Sequence, residues 1–452
     1  MNNAIILAAG KGTRMKSEHS KCMQLVGGKP IVKRIVDNLR AAGIENIVMV
    51  VGHAKEEIIE YFHNENITFA VQSELLGTGH AVSMASMLKD EKGDTLIING
   101  DVPLLQAETF RHLLEEKKTS DLVLLTAIMH DPALYGRIIR DEQGKFEKII
   151  EAKDCTLEQL SINEINGAIY CVDNEKLFEC LPLIKNENRQ KEYYLTDIVE
   201  IFNDKNYSTK AYVVKDSNEI MGVDHRFAQM EANSYLRDRT NKKHLVNGVI
   251  IEDITSVYID ESAVIENGVI IEANTKILGA SILKSGCKIT SGSVIIDSVV
   301  GNDTVIENSK VSDSILGNNT TLGPMSHLRN NCQIGDNCRI GNFVEMKNTT
   351  FRDGSKCAHL TYLGDCEVGK RVNFGCGVVT VNYDGKNKFK TVIKDGAFIG
   401  SNANLLAPIV IGENALIAAG STVYHDIEDG DMGIARCRQE NKVGYGFKYK
   451  NK

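Results

Sequence analysis

Two groups of residues have types and spacings that could do chemistry, one near each end of the chain. Near the start, Leu7-Ala8-Ala9-Gly10-Lys11-Gly12-Thr13-Arg14-Met15 follows an apolar run. A glycine loop there lets backbone N–H groups approach phosphate, and Arg14 and Lys21 bring positive charge. The loop lacks the GxxxxGK[ST] of a P-loop and the third glycine of a dinucleotide fingerprint, so by itself it serves equally as a tight turn. Further elements sharpen it. Gln72 is followed by Leu76-Gly77-Thr78-Gly79-His80, and Asn99-Gly100-Asp101-Val102-Pro103 closes a buried-type run. A carboxylate at the C-terminal edge of a strand stands where open α/β sheets bind ligands. In the second group, His359 lies in Cys357-Ala358-His359-Leu360-Thr361-Tyr362-Leu363-Gly364-Asp365. A lone loop histidine is more often a surface residue, but this one has Asn342–Lys347 before it and Gly375-Cys376-Gly377 and Asn382-Tyr383-Asp384-Gly385 after it. An imidazole with an ordinary pKa near ~6.5 suits a general base at neutral pH.

Different elements must position these groups. Over the first 220 or so residues, the runs 4–8, 46–51, 68–72 and 95–99 alternate with amphipathic segments, which predicts a parallel sheet in an α/β domain. Arg137–Arg140 and Phe146–Glu151 flank Asp141-Glu142-Gln143-Gly144, a hairpin signal that predicts a flap over one edge. From Asp224 to about His244 the pattern is polar, with Phe227, Met230 and Leu236 at helical spacing, so a connecting helix is expected. The predicted division is 1–226, a linker helix over 227–247, and 248–452.

Beyond Val246, apolar residues return at every sixth position: Ile259, Ile265, Ile271, Ile277, Leu283, Ile289 and Ile295. After single-residue slips the ladder resumes as Val299, Val305 and Val311, then as Leu316, Leu322, Leu328, Ile334, Ile340 and Met346. It returns as Ile393, Ile399, Leu405, Ile411, Ile417 and Val423. Six is a multiple of two but not of 3.6, so one face points inward at each step only in an extended chain that turns regularly. The pattern is that of a hexapeptide β-helix, in which three units close a triangular coil and each coil buries its ladder against its neighbours. A sandwich of irregular strands does not account for so strict a period. The ladder reads as broken around Lys347–Asn373 and Asn382–Lys388, and breaks in a solenoid place functional loops.

The chain has 452 residues, 42% of them hydrophobic and 25% charged, which exceeds one ordinary core and excludes disordered and fibrous classes. A net charge of -8 without a basic block argues against nucleic acid or anionic membrane and for small-molecule ligands. The apolar run at Ala4–Ala9 is too short for a signal peptide, and no membrane span is read. Eleven scattered cysteines without CxxC pairs suit reduced thiols in a cytoplasm. Cys332 and Cys338, six apart, read as small buried thiols rather than zinc ligands.

The N-terminal motifs, in this order, resemble the sugar-nucleotide pyrophosphorylases. With the cluster around His359, essentially the whole chain resembles the bifunctional N-acetylglucosamine-1-phosphate uridyltransferase/glucosamine-1-phosphate N-acetyltransferase family. The resemblance implies a Rossmann-like nucleotidyltransferase domain, a linker helix and a left-handed parallel β-helix. It implies acetyl-CoA-dependent acetylation of glucosamine 1-phosphate in the C-terminal domain. Uridyl transfer from UTP to the product, with release of pyrophosphate, then falls to the N-terminal domain. By resemblance Leu7, Ala8, Ala9, Gly10 and Gln72 hold the nucleotide, Gly77 and Thr78 lie beside the base, and Arg14 and Lys21 supply charge. Asn99, Gly100 and Asp101 lie at the nucleotide sugar, with Gly136, Glu151 and Asn166 as sugar contacts, and Asp101 and Asp224 are the expected Mg²⁺ ligands. Asp224 also reads as a helix N-cap, and both roles can coexist.

In the β-helix the resemblance makes His359 the base, with Glu345 tuning or orienting the site. It gives Arg329, Lys347, Tyr362, Asn373 and Lys388 to the sugar phosphate, and Cys376, Asn382, Tyr383, Ser401, Ala419 and Arg436 to acetyl-CoA. It further implies a cytoplasmic homotrimer. Departures from the family pattern are Asp224 in place of asparagine, Ser20 in place of proline, Asn166-Gly167-Ala168 in place of Asn-Thr-Gly, and Cys376 in place of alanine. The competing reading is a single-function pyrophosphorylase with a structural or regulatory β-helix, which would not need the His359 cluster.

Overall fold

Apolar runs bounded by polar turns become the strands of the N-terminal half: β1 (Asn3–Ala8), β2 (Asn46–Val51), β3 (Thr68–Val71), β4 (Asp94–Asn99), β5 (Leu122–Ile128), β6 (Arg137–Arg140), β7 (Phe146–Ile150), β8 (Glu164–Asp173) and β9 (Thr209–Val213). The computed structural model describes residues 2–450. The sheet order is β9-β5-β8-β4-β1-β2-β3, and β6 pairs with β7 and β8. Strands β4, β1, β2 and β3 are mutually parallel, as expected. Strand β8 corrects the all-parallel expectation, because it runs antiparallel to both β4 and β5. The β6–β7 hairpin ends the βαβ rhythm there, and the returning chain no longer needs a crossover helix. Along β1, Ala4, Ile6 and Ala8 enter one core while Ile5 enters the other, so the strand is buried on both faces.

The connecting helix spans Arg226–Val246, and the boundary between the two compact units falls inside it, after Leu236.

From Ile250 onward short parallel strands stack coil on coil, with Ile259 beside Ile277 and Ile277 beside Ile295, each 18 residues on. The ladder residues Ile259–Ile295, Leu316–Met346 and Ile393–Val423 are buried as expected. Between the first two sets the phase differs from expectation. The buried residues are Val300, Ile306 and Val311, while Val299 and Val305 lie half-exposed. Each slip falls where two β-branched residues adjoin, so either satisfies a period search. Only the partner coil decides, and Leu283 pairs with Val300.

A second correction concerns the break around Lys347–Asn373. The ladder continues there through Phe351, Cys357, Leu363, Val368 and Phe374. Its steps of five and its Cys and Phe members hide it from a six-residue aliphatic search. What distinguishes the region is two nine-residue strands, β10 (Arg339–Lys347) and β11 (Lys356–Gly364), which run through a corner instead of stopping at it. The true interruption is the excursion after Val381, where Thr380 pairs with Leu405, 25 residues on.

Candidate functional site

In the N-terminal unit, Leu7 pairs with Asn99, so the parallel strands β1 and β4 deliver the loop after Ala8 and the Asn99–Asp101 turn to the same sheet edge. Lys21 opens a short 3₁₀ turn, Lys21–Met23, capped by the Ser20 hydroxyl, which accepts from the Cys22 N–H at 3.3 Å. The departure from proline has a local reason: the Ser20 N–H donates to the Glu57 carboxylate at 3.0 Å, a bond proline cannot make. Lys21 Nζ is ion-paired with Asp101. Burial works to lower the Lys21 pKa, but the Asp101 carboxylate, with Asp224 farther off, outweighs it and holds the ammonium above its usual value. Val223 N–H donates to the Asp101 carbonyl at 2.8 Å, which brings Asp224 to the same edge, where it binds Arg14 at 2.6 Å. The N-cap role falls to His225, whose Nδ1 accepts from the Ala228 N–H at 3.0 Å, leaving the Asp224 carboxylate to Arg14.

Both carboxylates face a cavity of about 1150 Å³, lined also by Leu7, Arg14, Thr78, Asn99, Gly136, Glu151 and Asn166. Burial pushes the Glu151 carboxyl up, a bond from Thr196 opposes, and Asp154 and Asp197 add to the rise. Not every expected residue opens onto this space. Ala8 and Ala9 are buried, and Gln72 braces the following loop, donating to the Gly77 carbonyl at 3.2 Å and meeting His80 Nδ1 at 3.0 Å. Gly77 itself, at φ 115°, leaves no room for a Cβ, which would lie 2.6 Å from the Tyr193 carbonyl. The cavity wall includes Tyr135, Lys153, Tyr170 and Thr196, which sequence reasoning missed because no motif marks them.

In the β-helix unit, β10 and β11 set Asn342 beside His359, Glu345 beside Tyr362 and Lys347 beside Gly364, and the preceding coil adds His327 beside Glu345 and Arg329 beside Lys347. His359 is exposed at the corner. Above it the same corner carries Cys376, whose carbonyl accepts from Asn402 N–H at 2.7 Å, next to Ser401, and then Ala419 against Gly400. Arg329 grips Glu345 through Nε at 2.8 Å and a terminal nitrogen at 2.6 Å, so Glu345 is engaged by Arg329. Lys347 lies against Lys388, and that like charge pushes the Lys347 pKa below the usual lysine value, with Arg329 adding and Asp365 opposing. Two ammonium groups in contact beside a guanidinium form a place for an anion. Asn382 donates to Asp365 at 2.5 Å, and Tyr383 bridges to Lys388 across the excursion. Asn373 stands on the adjoining face, beside Lys356, and does not join Lys347 within one chain. Arg436 is exposed, one residue beyond Ala435, which bonds the Ser421–Thr422 turn.

Residues 4–152 match the MobA-like NTP transferase domain, and residues 313–348 and 390–425 match the bacterial transferase hexapeptide (six repeats). His359, Tyr362, Cys376, Asn382 and Lys388 stand in the gap between the two repeat matches. The chain is 45% identical over 445 residues to the bifunctional protein GlmU of Shouchella clausii (strain KSM-K16), covering 98% of each. It is 46% identical to the bifunctional protein GlmU of Exiguobacterium sibiricum, over 98% of this chain and 99% of that one. It is also 46% identical to that of Clostridioides difficile (strain 630), over 98% and 96%.

Proposed function

The chain belongs to the family of bifunctional GlmU proteins, and on that premise we propose that its two reactions are divided between its two compact units. It makes UDP-N-acetylglucosamine, by N-acetylation of glucosamine 1-phosphate with acetyl-CoA and uridyl transfer from UTP with release of pyrophosphate. Its product enters cell-wall synthesis, and Mg²⁺ serves it as cofactor.

Uridyl transfer belongs to the N-terminal unit. A sugar-phosphate oxygen attacks the α-phosphorus and pyrophosphate leaves, so the protein must gather anions rather than supply a nucleophile. Arg14 and Lys21 neutralise phosphate charge, and their ion pairs with Asp224 and Asp101 hold them in place before substrate arrives. The backbone of Leu7–Gly10 and the Gln72-braced loop of Gly77 and Thr78 hold the nucleotide, while Gly136, Glu151 and Asn166 hold the sugar. The paired oxygens of Asp101 and Asp224, facing one cavity, are a hard donor set that fits Mg²⁺. Held by these two carboxylates, Mg²⁺ would supply charge to shield the phosphate oxygens.

Acetyl transfer belongs to the β-helix. The neutral sugar amine attacks the acetyl carbonyl while His359 takes its proton, the carbon–sulfur bond breaks, and the proton passes to the sulfur as coenzyme A leaves as its thiol. Arg329, Lys347 and Lys388 hold the sugar phosphate with Tyr362, Asn373 being left on the adjoining face, and the Cys376, Ser401 and Ala419 column with Asn382, Tyr383 and Arg436 receives acetyl-CoA. Cys376 contributes its backbone.

The observation that carries the division is that each charged cluster lies wholly within one unit. Asp101→Ala is expected to abolish uridyl transfer and spare acetylation, and His359→Ala to do the reverse, read by separate assays of pyrophosphate release and acetyl-CoA consumption. Near-normal acetylation by His359→Ala would refute the base assignment.

The substrates are small molecules, and among the described residues no helix is long and apolar enough to cross a membrane. We place the enzyme in the cytoplasm on its unpaired cysteines and infer a homotrimer. Support for self-association comes from one corner column in which Met325, Phe343 and Leu360 are 55%, 58% and 60% exposed, all at positive φ. Light scattering that gave the mass of a single chain would remove the trimer.

A further inference from the structure

We propose that Asp365 is a positioning residue for acetyl transfer, holding the excursion that delivers Asn382 to the acetyl-CoA side and Lys388 to the sugar-phosphate side. This rests on the assignment of acetyl transfer to that face of the β-helix. Asp365 occupies a coil corner at φ 47°. Its N–H donates to the Lys347 carbonyl at 3.0 Å, and its carbonyl accepts from the Thr391 N–H at 3.2 Å. Its carboxylate accepts from the side chain of Asn348 at 2.7 Å through one oxygen and from that of Asn382 at 2.5 Å through the other. The coil before the excursion advances 17 residues, from Tyr362 to Val379, and the next advances 25, from Thr380 to Leu405. The extra chain leaves at Asn382 and rejoins at Thr391, so both ends of the excursion are tied to Asp365.

Between those ends the excursion closes on itself. Phe389 N–H returns to the Asn382 carbonyl at 2.9 Å, and Tyr383 bridges to Lys388. Closure in this position sets Lys388 against Lys347, which Asp365 also contacts through backbone and charge. A corner by itself does not need a carboxylate: Asn330 and Asn348 hold the corresponding left-handed conformation on the preceding coils. What the charge adds is the second strong acceptor, aimed at Asn382. Fixing that amide from one side fixes the start of the loop, and the loop carries both substrate contacts.

The test uses the full chain, with uridyl transfer as an internal control of folding. Asp365→Asn keeps the corner and loses the charge-assisted acceptor. It is expected to raise KM for both acetyl-CoA and glucosamine 1-phosphate about tenfold, with kcat within about threefold and uridyl transfer unchanged. Lys388→Ala is expected to raise the KM of the sugar phosphate alone, and Asn382→Ala, which loses an acetyl-CoA contact and the bond to Asp365 together, that of both substrates. The exchange D365N/N382D re-forms the bond with donor and acceptor reversed, so the sugar-phosphate KM recovers while the acetyl-CoA KM does not. A purely structural corner would not produce that split. If Lys388→Ala and Asn382→Ala act as expected but Asp365→Asn leaves both KM values unchanged, the positioning role is wrong. An exchange that fails to recover the sugar-phosphate KM overturns it equally. If Lys388→Ala and Asn382→Ala are themselves silent, the assignment of acetyl transfer to this face fails, and the role of Asp365 falls with it.

Discussion

In the N-terminal unit the clustered charges come from distant points in the chain, Arg14, Lys21, Asp101 and Asp224, and meet because parallel strands end side by side. In the β-helix they come from successive coils and meet because each coil repeats the last at a fixed offset, as Arg329, Lys347 and Gly364 do. The electrostatics differ in the same way. Each cation of the first site already has a carboxylate, while the second holds Lys347 against Lys388. One cluster is balanced by its own carboxylates and the other holds two ammonium groups together, so removing a lysine should have opposite consequences for stability in the two units.

The largest effect follows from that difference. Lys21→Met leaves Asp101, only 14% exposed, without its partner, a change that costs about 3 to 5 kcal/mol when one member of a buried pair is removed. It is expected to lower the melting temperature of the N-terminal unit and reduce uridyl transfer by about a hundredfold or more. Lys347→Met instead removes a like-charge contact. It should leave the β-helix as stable or more so while raising the KM for glucosamine 1-phosphate, as calorimetry beside acetylation kinetics would show. Equal destabilisation by the two substitutions would mean that both sites are balanced alike.

The next contrast lies in how the two units are stabilised. A coil packs only against its neighbours, so a missing ladder side chain is not shared across a broad core. Ile306→Ala should cost about 2 kcal/mol or more, and Val305→Ala under about 1, by chemical denaturation. The reverse order would restore the register expected from sequence.

That register shows what was legible. A six-residue period reveals a β-helix because every coil repeats the signal, but it does not choose between Val305 and Ile306, since both fit and only pairing to Ile289 decides. The continuation through Phe351, Cys357 and Phe374 was hidden by steps of five and by residue types outside the aliphatic set. In the N-terminal unit the loop motifs were readable because glycine and charge cluster in sequence. The antiparallel entry of β8 was not, because nothing local encodes the direction of a strand's neighbours. Asp365 carries no signal either, since its importance comes from an excursion that rejoins the stack at Thr391.

Acid brings out a smaller difference. Burial, then Glu200 and Asp154, push the Asp197 carboxyl from 3.8 to about 6. Between those values the folded chain holds a proton that the unfolded chain has lost, so this group removes stability as pH rises through the window. Asp197→Asn should therefore gain in melting temperature relative to the parent chain from about pH 4 to about pH 7. In the β-helix, Lys390 and then Arg352 hold Glu367 below its ordinary value. That contribution is present above the ordinary carboxylate range and lost as pH falls through the depressed value, so Glu367→Gln should differ from the parent chiefly at neutral pH. Matching pH profiles for the two variants would erase the contrast.

The smallest effect concerns positive φ, which the two units use differently. In the β-helix, asparagine and aspartate hold most non-glycine left-handed corners, as polar side chains of that length do at little penalty. In the N-terminal unit, Ala168 holds φ 56° beside Asn166, whose side chain accepts the Ala168 N–H at 2.8 Å. Its neighbour Gly167 sits where a Cβ would lie 2.6 Å from the Leu125 carbonyl. The glycine is therefore spent on space and the alanine bears the strain. Ala168→Gly should stabilise this unit by up to about 1 kcal/mol and leave the KM for N-acetylglucosamine 1-phosphate unchanged. Gly167→Thr alone should destabilise it, since the backbone of β5 must move to admit the side chain. If Gly167→Thr became tolerable only in the presence of Ala168→Gly, the two positions would be one coupled bulge, and the departure from Asn-Thr-Gly would be a single compensated change.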